Sequence, residues 1–338
     1  MPASAEDMKL ETPGDDGRWF GFVRAFMLTC FGTLGGLLTI IFLLDPYDSG
    51  RAPFSLIRGT PDKDSRFSDA SHGRNPKYNA AIIGNSHGQA LHSERLSDLT
   101  GLSFVQMTVP GTKPREQLVL MKWFARHHTP ATAKAIVLVV DDWWCTHDPA
   151  LPVLYEFPFW LYEGGWLDYL PKLLTTQSFD RATRRVAMAA GWAKIVQPSG
   201  FDDYEIGTAW SFHPAPVETT PLAPAFDGAG LSRHFPAIDN LRAALAAELA
   251  GVPVIVTMPY VHISALPRPG TERAAEIANC KQAMAAVAGE SASARFLDLY
   301  IDAPLAHDEK NFMDATHYRA NVAMIIERRI AAALAAPR

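Results

Sequence analysis

The apolar and polar positions divide the chain into three regimes. The first is a single long apolar run, Ala25 to Leu44, twenty residues without a charge. At 1.5 Å per residue such a helix is about 30 Å long, the thickness of a bilayer's hydrocarbon. It is longer than a secretory leader's apolar segment, and "DPYDSGR" rather than a small-residue cleavage site follows it. The run predicts an uncleaved anchor over residues 19–45, in contact with lipid through residues 25–44. Residues 1–18 are polar and predict a disordered cytoplasmic tail; residues 46–77, rich in Pro, Gly, Ser, Asp and Arg, predict a linker arm.

In the second regime short apolar runs alternate with helical spacing. The runs at 78–84, 103–109, 134–141, 252–258 and 295–299 are near-continuously apolar, as strands buried on both faces are. Helical patterns lie between them at 88–99, 114–127, 235–250 and 271–287, and a last one starts near Tyr318. This alternation predicts a parallel sheet covered on both faces over residues 78–338. The third regime, residues 142–234, interrupts it with aromatic and then proline-rich sequence and reads as an insertion. Trp143, Trp144, Trp160 and Trp166 in it read as packing residues, with sugar stacking, a lid or a membrane-facing surface as the other readings.

Composition adds little. There are 36 acidic against 31 basic residues and no basic block, so nucleic-acid binding has no support. Of the three cysteines, Cys30 lies in the anchor, while Cys145 and Cys280 read as free buried thiols rather than as a pair. The basic residues flanking the anchor tie at three each. Arg18 and Arg24 lie nearer to it and Asp45 and Asp48 lead its far end, which places the N-terminus inside. His87 and His92 are five apart, which is not a helical metal pair, and no metal or cofactor site is read.

Candidate chemistry collects where the strands end, since sites in parallel sheets form beyond the carboxyl ends. "GNSH" puts Ser86 after the first strand, Gly111 and Thr112 follow the second, and Asp141 and Asp142 follow the third. Ser86 reads as standing where a helix N-terminus begins, with outward N–H groups that favour an oxyanion. It reads either as a nucleophile or as a helix cap. In "NFMDATHYRAN", Asp314 and His317 are three apart and face the same way on one turn, as a base and its orienting carboxylate do.

"GNSH" together with a late "DATH" resembles the SGNH/GDSL hydrolase superfamily. The resemblance implies a flavodoxin-like three-layer sandwich. It makes Ser86 the nucleophile, His317 the base and Asp314 its orienter, with the N–H groups of Ser86 and Gly111 at the oxyanion. Two positions depart from the family pattern. Asn85 stands where the family has Asp, and Asp141 or Asp142 stands in place of the third-block Asn. An ionised carboxylate cannot donate a hydrogen bond, so Thr112, Trp143, Trp144 or His87, or a protonated Asp, must complete the oxyanion site of an enzyme. The anchor, the "DPYDSGR" arm and both motifs are similar to bacterial inner-membrane SGNH-like proteins with a periplasmic domain. These act on acyl esters of envelope polysaccharide, often beside a multi-span acyltransferase. The resemblance therefore implies a serine-dependent O-acyltransferase or esterase. A non-catalytic glycan- or partner-binding envelope protein on the same fold is the alternative.

Overall fold

The computed structural model describes residues 16–52, 57–128, 131–151, 155–195, 197–203, 205–206, 210–216 and 234–336. Most of the expected tail, and the proline-rich stretch from residue 217 on, lie outside the described residues.

In chain order the elements are α1 (Asp16–Leu44), α2 (Ser65–Arg74), β1 (Ala80–Gly84), a 3-10 turn Ser86–Gly88, α3 (Ser93–Thr100), β2 (Phe104–Thr108) and α4 (Pro114–His127). Then follow β3 (Ala135–Val139), α5 (Trp143–Thr146), α6 (Phe159–Tyr162), α7 (Trp166–Leu173) and α8 (Thr176–Ala189). The last are α9 (Pro236–Ala246), β4 (Val254–Met258), α10 (Glu272–Glu290), β5 (Ala294–Asp298) and α11 (Ala320–Ala335).

All five strands are parallel, in the order β2-β1-β3-β4-β5. Every residue of β1 to β4 is buried, which is why these strands are continuously apolar in sequence. Side chains alternate between two cores. Ala81, Ile83, Ile136 and Leu138 join the cluster that includes Leu120 of α4, Leu241 of α9 and Met284 of α10. Ala80, Ile82, Val137 and Val139 join Leu96 of α3 and Val322, Ile326 and Ile330 of α11. Each buried branched side chain contributes about 1.5–3 kcal/mol. From β1 the chain first moves outward to β2 and then crosses to β3 on the other side, so the crevice where the winding reverses opens beyond the ends of β1 and β3.

Two expectations are corrected. Residues 46–77 are no loose arm. They carry α2, whose Ser68–Gly73 are buried, and they bury Asp45 and Asp48 directly after the anchor. Asp48 accepts from Arg185 at 3.1 Å, Arg74 at 2.9 Å, Ser71 at 2.6 Å and the Gly59 N–H at 2.8 Å. Arg185, fully buried, also takes the carbonyls of Leu44, Asp45, Ile57 and Gly59. Carbonyls at the end of α1 that have no intrahelical partner are thereby satisfied, and the arm's polar composition serves this buried network rather than solvent.

The cysteines are the second correction. Cys145 and Cys280 form a disulfide, with Cα atoms 5.5 Å apart. They are 135 residues apart in sequence, and only the packing of α5 against α10 makes them neighbours. Cys30 is exposed on α1.

Helix α1 is long and apolar enough to cross a membrane. Its residues Arg18–Leu37 are exposed, whereas Ile41 is buried and Leu38, Phe42 and Leu44 pack against the domain.

Candidate active site

Ser86 follows β1 without a long helix behind it. The expected helix at 88–99 begins at Ser93 instead, and Ser86 opens a single 3-10 turn. The turn packs closely on β2: a Cβ on Gly88 would lie 2.9 Å from the Thr108 side chain. Asn85, not Ser86, caps the turn, its Oδ1 accepting the His87 N–H at 3.0 Å. The serine hydroxyl therefore has another partner. His317 Nε2 lies 2.8 Å from Ser86 Oγ.

On its far side the His317 Nδ1 lies 2.8 and 2.9 Å from the two oxygens of Asp314. Asp314 Oδ1 also accepts the N–H groups of Thr316 at 2.8 Å and His317 at 2.9 Å, so the "DATH" turn holds its own geometry. Burial alone would raise the Asp314 carboxyl, but the hydrogen bond and charge of His317 and the two N–H donors outweigh it. They hold the carboxyl well below the usual carboxylate range. A hydroxyl, an imidazole and a carboxylate thus form one continuous line, the arrangement that a serine nucleophile, its base and an orienting carboxylate require.

Donors for an oxyanion are limited. Among the described residues, the N–H groups of Ser86 and Gly111 donate to no acceptor. Gly111 has φ +73°, a backbone conformation that favours glycine, and the exposed Tyr155 ring lies over it, 2.5 Å from where a Cβ would stand. The Thr112 hydroxyl and N–H both turn back to the Val109 carbonyl, at 2.7 and 3.2 Å. The Trp144 indole donates to Gln117 at 2.8 Å, inside the core. Trp143 is half-buried under the Lys113 ammonium.

His87 is the remaining group. Its ring lies 4.9 Å from that of His317, centroid to centroid, and its Nδ1 is 3.4 Å from Asp141 Oδ2. Burial lowers its pKa, yet the hydrogen bond and charge of Asp141, with Asp142 and Asp314 beyond, raise it above the ordinary histidine value.

Asp141 itself is buried and accepts from Asn85 Nδ2 at 2.5 Å and from the Trp143 N–H at 3.1 Å. The two positions that depart from the SGNH pattern are therefore hydrogen-bonded to each other. Asp142 points elsewhere, to Arg273 at 2.6 Å, and burial and the neighbouring Asp141 charge push its carboxyl up.

Sequence reasoning does not reach Trp210, whose ring lies 6.0 Å from that of His317. It comes from the irregular part of the insertion, where no periodicity marks it. Nor does it reach the cleft of about 1110 Å³ that borders His87, Asp141 and Thr316 and runs between Leu266, Ile277 and Ile301. Among the described residues no group of three His, Cys, Asp or Glu is arranged to hold a metal. In comparison with known proteins, no family model matches the chain and no curated sequence matches it.

Proposed function

We propose that this chain is a serine-dependent O-acyltransferase or esterase of the SGNH type, on a flavodoxin-like three-layer sandwich, acting on acyl esters of an envelope polysaccharide. The observation that carries the reading is the unbroken contact from Ser86 through His317 to Asp314. Ser86 Oγ attacks the ester carbonyl as its proton passes to His317 Nε2. The oxyanion forms at the N–H groups of Ser86 and Gly111, with a charged His87 as third donor in place of the family's Asn. On collapse the C–O bond to the leaving alcohol breaks and His317 returns the proton to it. A sugar hydroxyl or water then attacks the acyl-Ser86 ester by the same steps in reverse, which separates transferase from esterase only by the second acceptor.

In this reading α1 spans a bacterial inner membrane and residues 46–338 face the periplasm, beside a multi-span acyltransferase that supplies the acyl group. The Cys145–Cys280 disulfide supports a compartment outside the cytoplasm. A reporter active only outside the cytoplasm, fused after Arg338, is expected to be active. A stable but inactive fusion would reverse the topology.

A fluorophosphonate probe is expected to label the native chain and not Ser86→Ala. The second reading, a glycan- or partner-binding protein on the same fold, is favoured by Asp141, an acceptor when ionised, where the family has a donor. Absence of labelling in a folded native chain would establish that reading.

A further inference from the structure

The flank of the domain beside the anchor carries apolar side chains that the fold leaves uncovered. Trp166 and Leu167, in the first turn of α7, are 52% and 89% exposed, and Trp192, just after α8, is 85% exposed. Both helices, α7 and α8, pack against α1. The Trp166 ring packs 5.7 Å from that of Phe42 on α1. α8 runs back along the anchor: its Ser178 bonds Tyr47, beyond the end of α1, at 2.7 Å, whereas Arg185 farther along bonds the Leu44 carbonyl at 2.7 Å. The four helical residues from Arg185 to Ala189 carry α8 about 6 Å farther in the same direction, toward Trp192. Lys172 and Lys194, exposed on the same segment, form no ion pair among the described residues.

We propose that this α7–α8 flank is a lipid-binding surface, seated in the headgroup region of the membrane that α1 crosses. The proposal rests on α1 being a membrane span. The uncharged run Ala25–Leu44 and the uncovered run Arg18–Leu37 each measure about 30 Å, one hydrocarbon thickness. With the hydrocarbon over Ala25–Leu44, the turns that α7 and α8 cover, Leu38 to Leu44, form its outermost stretch of about 9 Å; with it over Arg18–Leu37, they begin directly above it. A tryptophan pair with an intervening leucine, rimmed by lysines, is the composition that boundary selects. Indole rings rest at the headgroup level, and lysines reach the phosphates. Once α1 is inserted, the bilayer is the surface that continues from the covered end of α1 to this flank. The domain would then have a second contact with the membrane, fixing its tilt.

The test uses the full chain reconstituted in phosphatidylcholine–phosphatidylglycerol vesicles, with an environment-sensitive maleimide dye on single thiols. Native Cys30 reports on the span. Leu167→Cys and Trp192→Cys, each with Cys30→Ser, report on the flank, and Glu290→Cys with Cys30→Ser, at the end of α10, is the solvent control. Lipids carrying a nitroxide at the bilayer centre should quench the Cys30 dye. Lipids carrying it near the headgroup should quench both flank dyes and leave the Glu290 position unquenched. Flank dyes as unquenched as the control, with Cys30 quenched, would overturn the lipid surface while leaving the span intact. An unquenched Cys30 would remove the span reading, and the proposal with it.

Discussion

Replacing Asp314 by Asn separates the orienting charge from the local fold. Asp314 Oδ1 accepts from the N–H groups of Thr316 and His317, both within 2.9 Å, and an Asn oxygen can keep these bonds. What changes is the second atom. Asp314 Oδ2, 2.8 Å from His317 Nδ1, becomes an NH2 donor. The new amide N–H competes for the Nδ1 lone pair and so favours the tautomer whose proton faces Ser86, which cannot act as a base, over the Nδ1–H bond to the oxygen 2.9 Å away. In serine triads this exchange lowers turnover by about 10⁴-fold, a barrier increase of roughly 5.5 kcal/mol. Because Asp314 is held below the usual carboxylate range, its charge persists down through the range where free carboxylates protonate. Stability linked to it is present above the unfolded value and is lost only as pH falls through the lower folded one. The assay is turnover of a p-nitrophenyl ester, or the rate of fluorophosphonate labelling, with thermal unfolding in parallel. Turnover within about tenfold of native in a variant of native melting temperature would refute the triad argument.

Three other outcomes are expected. Cys145→Ser with Cys280→Ser should cost about 2–5 kcal/mol in unfolding free energy, read by denaturant titration, with a melting temperature below that of the oxidised native protein. Arg185→Met removes the cation but leaves Asp48 buried beside only Arg74, and should cost about 3–5 kcal/mol. An unchanged denaturation midpoint would show that water replaces it. His87 has a folded pKa above its unfolded value, so its contribution to stability is complete below about pH 6.5 and is lost as pH rises through the folded value. The melting temperature should fall over that range in the native protein and not in His87→Gln, and an alkaline loss of turnover should disappear with it.

The sheet is legible in the sequence because β1 to β4 are buried on both faces and so appear as unbroken apolar runs. The "GNSH" and "DATH" turns are legible because each places its polar groups within a few residues. What escaped depends on contacts between distant segments. Cys145 and Cys280 become neighbours only when α5 meets α10. The arm at 46–77 looks like linker because its Asp48 carboxylate pairs with Arg74 and with Arg185, the latter on α8 of the insertion and 137 residues away in sequence. Helix α3 starts at Ser93, after a turn in which Gly88 passes close to Thr108, a contact with β2 that no local propensity reveals.

The bond between Asn85 and Asp141 joins the end of one strand to the end of its neighbour, and it makes these two positions inherit each other's changes. With Asn85→Asp alone, two carboxylates would lie about one hydrogen bond apart and share a proton, disturbing His87 as well. With Asp141→Asn alone, the pair is neutral and His87 loses the charge that raises its pKa. Exchanging both restores one donor and one acceptor across the same gap, with the charge moved from β3 to β1. The two single changes should therefore be strongly non-additive, with a coupling energy of about 0.5–3 kcal/mol in a double-mutant cycle. A protein crossing between the two arrangements must pass through an impaired intermediate. Two residues 56 positions apart thus behave as one heritable unit, and a substitution at either is interpretable only with the identity of the other.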